Sequence, residues 1–247
     1  MMPAFFVTLG FVAAAAGAPS FESANRAYLA GNYRDAATEY EALLKNVPNA
    51  DVAFNLGNAH AKTGDWARAR AAYEKALRIR PRHADAAHNL SWVKKELERS
   101  AWSGDEMREE VVPFWVDFPL RFSPAESEIL LLVSSLLLFG LLIALRFVVR
   151  RGLRVGLFFG ALVSLLLFVA AFALWGGRRY AERWNRAAIV VAREATFRLG
   201  PSEREDAVAV VRAGRKVRVI EAQGDWFRVP WPGGLSIFVR RQDVVGL

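Results

Sequence analysis

The chain has 247 residues, a formal net charge of +8 and an apolar content of 53%. This length allows more than one folding unit, and the apolar content is high for a soluble protein. The positive excess is greatest beside the longest apolar runs, which is typical of membrane orientation rather than of nucleic-acid binding. Because the chain has no cysteine, disulfides, thiol catalysis and zinc–thiolate sites are excluded.

The first 18 residues have the composition of an export signal. An apolar stretch runs from Ala4 to Ala16, and Ala16-Gly17-Ala18 forms an A-x-A cleavage pattern. No Lys or Arg precedes the apolar stretch, and Pro19 would follow a cut after Ala18. Cleavage one or two residues earlier and an uncleaved signal anchor are therefore alternatives, and a buried helix is a third. Either form of the signal would carry the next segment across a membrane.

Residues 19–100 contain a sequence that nearly repeats after 33 positions. AGNYRDAATEYEALLKNVP, from Ala30, aligns with TGDWARARAAYEKALRIRP, from Thr63, and NLSWVKKELE, from Asn89, begins a third copy. In each unit a glycine turns the chain between two helices, an alanine permits close helix contact, a tyrosine fills the gap and a proline ends the second helix. The pattern resembles the tetratricopeptide repeat, with two units and a closing helix.

The resemblance to tetratricopeptide repeats implies a concave groove formed by the first helix of each unit. Nine residues are expected to lie on the groove side: Phe21, Asn25, Tyr28, Phe54, Asn58, Lys62, His88, Trp92 and Lys95. Such a mixture suits an extended peptide or a partner helix, while solvation or packing within the repeat is the alternative for each residue. The family's carboxylate clamp is not expected, because it needs basic residues at the positions of Phe21, His88 and Trp92. Arg68 and Arg78 are expected to face outward, away from the groove.

An acidic and aromatic linker, residues 101–126, precedes two apolar runs. Ser123, Pro124 and Glu126 have the pattern of a helix start. The first span is predicted over residues 127–149, with Arg146 snorkelling to the membrane surface, and the second over residues 155–175. Aromatic residues beside the spans are expected at the membrane interfaces: Trp102, Phe114, Trp115, Phe118, Phe122, Trp175, Tyr180 and Trp184.

The turn between the spans, residues 150–154, is too short to fold alone, so a hairpin is expected. By the positive-inside rule, Arg146, Arg150, Arg151 and Arg154 place this turn in the cytoplasm. Arginines that follow the second span compete with this orientation, and the export signal decides it. The repeats and the C-terminal domain are then both expected on the periplasmic side of a bacterial inner membrane.

Small residues recur every four positions on the second span, at Gly156, Gly160 and Ser164. Small residues at this spacing allow close contact between membrane helices. We interpret this face as the packing surface of the hairpin itself, with pairing to another membrane protein as the alternative.

After a linker at residues 176–187, the pattern of residues 188–247 changes to a period of two. Strands are predicted at 188–192, 216–222, 225–230 and 235–239, and a domain of this size can close into a small barrel. ATFRLGPSE and VVRAGRKVRVIEAQGDWFRV resemble bacterial SH3-like (SH3b) domains. Trp226 is expected in the core, and Trp231, beside a proline–glycine turn, is the candidate ligand contact.

The sequence contains no recognisable catalytic or metal-binding motif. AGRK is only a fragment of a phosphate-binding loop, and G-x-S-x-G is absent. The three histidines, His60, His83 and His88, lack the carboxylate spacing of a metal site. We therefore expect a protein that is not an enzyme and needs no cofactor.

The order of the parts resembles the BatE-like proteins of bacterial aerotolerance (Bat) gene clusters. The expected fold class is a multidomain membrane protein with an all-α tetratricopeptide solenoid, two transmembrane helices and a small all-β SH3-like barrel. The resemblance implies partners with von Willebrand A domains and a MoxR-type ATPase, and a scaffold role in an envelope complex. The alternative function is a cell-wall anchor whose SH3b domain binds peptidoglycan. An enzyme accessory regulated through the cytoplasmic arginines is a third hypothesis.

Overall fold

A computed structural model describes residues 19–100, 112–184, 186–231 and 233–247. The predicted signal at residues 1–18 and the part of the acidic linker that contains Trp102 lie outside the described residues. The described chain contains a helical N-terminal region, a helical hairpin and a β-rich C-terminal region.

Five helices form the N-terminal region, each packed against the next: α1 (Phe21–Leu29), α2 (Tyr33–Asn46), α3 (Ala50–Lys62), α4 (Trp66–Ile79) and α5 (Ala84–Ser100). Polar side chains begin two of them, since Asn49 accepts hydrogen bonds from the first amides of α3 and Asp65 accepts one from the Arg68 amide. Gly31 and Gly64, with φ of 82° and 76°, turn the chain inside each pair of helices.

In the core of this region, small residues pack against tyrosine rings. Ala69 and Tyr73 of α4 are 0% and 1% exposed. A Cβ atom at Gly57 would lie 2.5 Å from a carbon of the Tyr73 ring. The ring therefore packs directly on the backbone of α3, and this close contact leaves no room for a side chain at position 57.

A short helix, α6 (Phe114–Leu120), precedes a hairpin of α7 (Pro124–Phe147) and α8 (Arg151–Trp184). The predicted capping box is present, because the Ser123 hydroxyl accepts from the Glu126 amide at 3.1 Å and the Glu126 carboxylate accepts from the Ser123 amide at 2.8 Å. Both α7 and α8 are long and apolar enough to cross a membrane by length and composition. With 34 residues, α8 continues well beyond 175, through most of the segment interpreted as a linker.

Only some of the small residues predicted to form the packing face of α8 lie against α7. Ser164 is buried, and a Cβ atom at Gly160 would lie 3.8 Å from Leu141 on α7. A Cβ atom at Gly156 would have no neighbour within 4 Å among the described residues. Most of the larger apolar side chains on both helices are exposed, as a lipid-facing surface would require.

The β-rich region has two antiparallel sheets, with strand orders β4-β1-β8 and β3-β2-β7-β6-β5. Within residues 186–231 and 233–247 the strands are β1 (Ala187–Val190), β2 (Glu194–Arg198), β3 (Ala207–Arg212), β4 (Lys216–Arg218), β5 (Glu221–Gln223), β6 (Trp226–Pro230), β7 (Ser236–Arg240) and β8 (Val244–Gly246). The core beneath them contains Val190, Phe197, Val211, Ile237 and Val239.

The expected closed barrel is wrong, because the strand predicted at 216–222 divides between the two sheets. The Val219 amide donates to the Arg186 carbonyl at 2.6 Å, beside the first sheet. The next amide, of Ile220, donates to the Arg228 carbonyl of β6 in the second sheet at 2.8 Å. Consecutive amides thus pair in different directions, which turns the chain from one sheet into the other.

Candidate functional site: the repeat groove and the domain interface

The two predicted groove asparagines are held by tyrosines of the following helix. The Tyr73 hydroxyl donates to Asn58 Oδ1 at 2.7 Å, and Asn89 Nδ2 donates to the same oxygen at 3.0 Å. Tyr40 donates to Asn25 in the same way one unit earlier. Burial raises the pKa of Tyr73 to about 12, so this hydroxyl is a neutral donor. These amides connect helices within the repeats.

Three predicted groove aromatics contribute to packing to different extents. The Phe54 ring lies 4.9 Å from the His83 ring and 5.9 Å from the Tyr73 ring, measured between centroids. Tyr28 packs edge-on against the tyrosine that begins α2. Phe21 is 40% exposed. Phe54 is therefore partly buried, as the packing alternative allowed, because its ring lies between α3 and the start of α5.

The accessible part of the predicted groove lies mainly on α5. His88, Trp92 and Lys95 are exposed and share one face of the helix, because they are spaced by four and three residues. We call this face the α5 strip. Trp92 is 47% exposed, and its ring meets Trp66 edge-on at 5.1 Å. The predicted Lys62 is exposed at the end of α3.

Trp66 extends the aromatic surface beside the α5 strip, and sequence analysis missed it as a candidate. It aligns with Tyr33 of the first unit, so the sequence alone indicates only a recurring aromatic position. A contact between Trp66 and Trp92 depends on how α4 and α5 pack, and the repeat spacing does not reveal that.

A buried ionic interface joins α4 to the β-rich region, and sequence analysis missed it too. Glu74 accepts hydrogen bonds from Arg70 Nε at 3.0 Å and from Lys216 Nζ at 2.6 Å. Arg70 Nη1 also donates to the Gly214 carbonyl at 2.7 Å. The Arg70 and Glu74 side chains are 6% and 8% exposed. We call Arg70, Glu74 and Lys216 the interface triad.

The interface triad keeps a buried carboxylate charged. Burial by itself raises the pKa of Glu74, but the charges of Lys216 and Arg70 and their hydrogen bonds outweigh this effect and hold it below its ordinary value. Glu74 is therefore ionised at neutral pH. Arg70 lies on the same helix as Glu74, so only the pair with Lys216 of β4 depends on docking of the β-rich region.

Two further arginines extend the interface to the base of the hairpin. Arg78 Nη1 donates to the main-chain oxygen of Leu247 at 2.7 Å, and burial lowers the pKa of Arg78. Arg178 of α8 donates to the Phe122 carbonyl and lies 3.5 Å from the Arg78 carbonyl. Arg78 does face away from the groove, but the prediction of an outward surface position is wrong because the β-rich region covers it.

The structure places the two tryptophans of the β-rich region in different surroundings, and Trp226 lies outside the core in which it was expected. Phe227 and Val229 of β6 pack on the core, so the alternation of the strand places Trp226 on the other face. Trp226 is half-buried with the Arg240 guanidinium 5.7 Å from its ring. Trp231, the predicted ligand contact, packs against the core, and its amide donates to the Leu235 carbonyl at 2.9 Å.

The described residues contain no group of three or more His, Cys, Asp or Glu side chains that could hold a metal ion. Arg146, Arg150, Arg151 and Arg154 are exposed around the turn between α7 and α8. We call them the turn arginines.

A family model for the tetratricopeptide repeat matches residues 21–87. The N-terminal region is therefore a tetratricopeptide repeat domain, a class that commonly mediates protein–protein interactions. A search of curated proteins gave no match. Among solved structures, an NlpC/P60 family protein from Bacillus cereus ATCC 10987 shares 20% identity over 28% of this chain and 23% of that chain, with a TM-score of 0.22. The chain thus spans about a quarter of that protein's length, and a likeness this low carries no argument about fold or function.

Proposed function

We propose that the protein is a non-enzymatic scaffold of the bacterial envelope, anchored by its hairpin, which recruits a protein partner through the α5 strip. The observation that carries this proposal is the exposed Trp92, flanked by His88 and Lys95, on a tetratricopeptide domain. Exposed aromatic residues beside basic ones are typical of binding hot spots. Because this domain contacts the base of the hairpin, the α5 strip would be held close to the membrane surface.

Contacts at the hairpin base support an arrangement with both domains on one side of the membrane. Arg82, between α4 and α5, pairs with Glu126 at the start of α7 at 3.0 Å. Arg178, near the end of α8, reaches carbonyls of Phe122 and Arg78. Both ends of the hairpin thus meet the repeats at the end opposite the turn arginines. Together with the predicted export signal, this favours a cytoplasmic turn and periplasmic domains at the inner membrane.

The resemblance to BatE-like proteins favours von Willebrand A domain proteins and a MoxR-type ATPase system as partners. The alternative function is a cell-wall anchor, in which an SH3b-like β-rich region binds peptidoglycan. The position of Trp226 outside the core, next to Arg240, makes it the favoured contact for that alternative.

Partner recruitment is tested with Trp92→Ala and a matched control, Arg34→Ala, on the exposed outer face of α2. The three full-length proteins are purified from membranes, and co-purified envelope proteins are measured by quantitative mass spectrometry. If Trp92 is a hot spot, its loss weakens binding about 30-fold, whereas the control retains its partners. Equal recovery from all three proteins would remove the α5 strip as the recruiting surface. Retention by isolated cell wall that depends on Trp226 would favour the alternative.

Orientation is tested with alkaline phosphatase fusions, because this enzyme matures only outside the cytoplasm. A fusion after Leu247 through a flexible linker is expected to be active, and a fusion within residues 150–154 inactive. The reverse pattern would overturn the orientation and with it the periplasmic scaffold.

A further inference from the structure

The turn arginines have no acidic partner within their own hairpin. The sequence contains no Asp or Glu between Glu128 and Glu182. None of the four guanidinium groups forms an ion pair with another part of the described chain, although ion pairs occur at the opposite end of the hairpin. Four positive charges are thus crowded within nine residues without a neutralising group.

Distance prevents the acidic residues of the described helices from supplying the missing charge. Glu128 precedes Arg146 by 18 positions on the single helix α7, which separates them by roughly 27 Å at 1.5 Å per residue. In physiological salt the attraction between exposed charges decays over about 8 Å, so little of it survives this separation. The repeats and the β-rich region contact the other end of the hairpin. Within the described part of the chain the turn arginines are therefore left available to an anion from another molecule.

The surface beside the turn combines charged and apolar groups in a cavity of about 310 Å³. It is lined by Arg151 and Arg154, together with Leu145, Val155 and Phe158. Val155 and Phe158 are 51% and 60% exposed. A guanidinium group matches the oxygens of a phosphate in a bidentate fork, and the apolar wall continues along α8 in the direction of the span.

We propose that this cavity is a binding site for the headgroup of an anionic phospholipid. Arg151 and Arg154 bind the phosphate, and an acyl chain lies along Val155 and Phe158. An anionic lipid fits better than a zwitterionic one, because the positive group of a zwitterionic headgroup would meet four unneutralised arginines. An acidic protein segment could supply the charge but has no use for the exposed apolar wall. The inference rests on the proposed insertion of the hairpin in a membrane.

The site is tested with the full-length protein in detergent micelles that contain equal amounts of phosphatidylglycerol and phosphatidylcholine. Bound lipid is counted by native mass spectrometry for the wild type, for Arg151→Gln/Arg154→Gln, and for Arg179→Gln/Arg183→Gln at the opposite end of α8. The wild type and the second variant are expected to retain phosphatidylglycerol preferentially. The first variant is expected to lose affinity for it about 30-fold.

Two competitors identify the source of the anion. If inorganic phosphate or a polyglutamate peptide displaces phosphatidylglycerol at equal concentration, the site is a general anion site or a site for an acidic protein, and the proposal is wrong. Equal retention of both lipids by the wild type, or equal loss in the two variants, also overturns it. Lipid counting in micelles does not depend on membrane orientation or on partner recruitment. A failure here is therefore distinguishable from a failure of the phosphatase fusions or of partner recovery.

Discussion

Helices α2 and α4 occupy equivalent places in the two repeat units, yet only α4 carries a second domain. Their inner faces are the same, since Ala36 and Tyr40 of α2 correspond to Ala69 and Tyr73 of α4, and all four are buried. Their outer faces differ, because the exposed Glu41 and Lys45 of α2 correspond to Glu74 and Arg78 of α4. One turn before Glu41, the buried Ala37 corresponds to Arg70. The inner face of such a helix therefore specifies the repeat, and the outer face specifies what docks on it.

The pair Glu41 and Glu74 shows the difference most clearly. The Glu41 side chain is 50% exposed and lies 3.5 Å from His60 of the next helix. Glu74, at the same place in its unit, is 8% exposed and bound to Arg70 and Lys216. The same residue type is thus a weak surface partner in one unit and the centre of a domain interface in the other.

The largest expected effect follows from removing one member of the interface triad. Glu74→Ala leaves Arg70 and Lys216 without their counter-charge, so docking of the β-rich region should weaken by about 3–5 kcal/mol. The matched change Glu41→Ala should cost at most about 1 kcal/mol, because the Glu41 carboxylate is half exposed and its ion pair is screened by water. Thermal unfolding and limited proteolysis of the full chain in detergent measure both. Equal losses for the two variants would mean that the triad does not hold the domains together.

A smaller effect is expected for the next pair, Lys45 and Arg78. Arg78→Ala removes a charged hydrogen bond to the main-chain oxygen of Leu247, which should cost about 1.5–3 kcal/mol. Lys45→Ala, on the exposed face of α2, should change stability by no more than about 0.5 kcal/mol. Protease sensitivity of the β-rich region reports the first change, and an unaltered digestion pattern for Arg78→Ala would contradict its assignment to the interface.

For the inner faces of α2 and α4, in contrast to the outer faces, we expect matched substitutions to destabilise the two repeat units equally. Ala36 and Ala69 are both 0% exposed, so Ala36→Leu and Ala69→Leu should each cost roughly 1–3 kcal/mol by overpacking. Thermal unfolding monitored by circular dichroism measures the loss of helical signal in each variant. A loss confined to one unit would show that the two cores are not equivalent, and unchanged melting of both would contradict the packing of the repeats.

The inner face of the repeats could be predicted because each small residue and each tyrosine appears twice at the same spacing. The interface triad could not, because Arg70 and Glu74 have the sequence pattern of ordinary polar residues on an exposed helix face. The available signal was the change from Ala37 to Arg70 within an otherwise regular repeat, since a long cation in place of alanine indicates a different neighbour.

The β-rich region and the groove show two other limits of a single sequence. A period of two identifies strands, but it does not show where a strand passes from one sheet to the other. That change occurs where the consecutive amides of Val219 and Ile220 donate to carbonyls in different sheets. Repeat spacing places Asn58 on the groove side, but only the packed structure shows that the Tyr73 hydroxyl already uses its oxygen. Side-chain availability depends on neighbours that are distant in the chain.

The carboxylates of Glu74 and Glu41 are expected to respond differently to pH, which gives a further comparison of the two outer faces. The pKa of Glu74 is held below its ordinary value of 4.5 in the folded protein, where cations outweigh burial. Its contribution to stability is therefore complete above the ordinary value and is lost as the pH falls through the lower, folded value. The pKa of Glu41 is also lowered, chiefly by its hydrogen bond with His60, but its carboxylate is half exposed and its contribution is screened.

We therefore expect the difference in melting temperature between wild type and Glu74→Gln to be constant from neutral pH down to about 4.5 and to shrink at lower pH. Glutamine cannot ionise, so only the wild type loses its ion pairs over this range. The control Glu41→Gln should differ little from the wild type at any pH in the series. If the difference for Glu74→Gln persists undiminished at about pH 3, the charge of Glu74 does not stabilise the docked domains, and the contrast between α2 and α4 lies in packing alone.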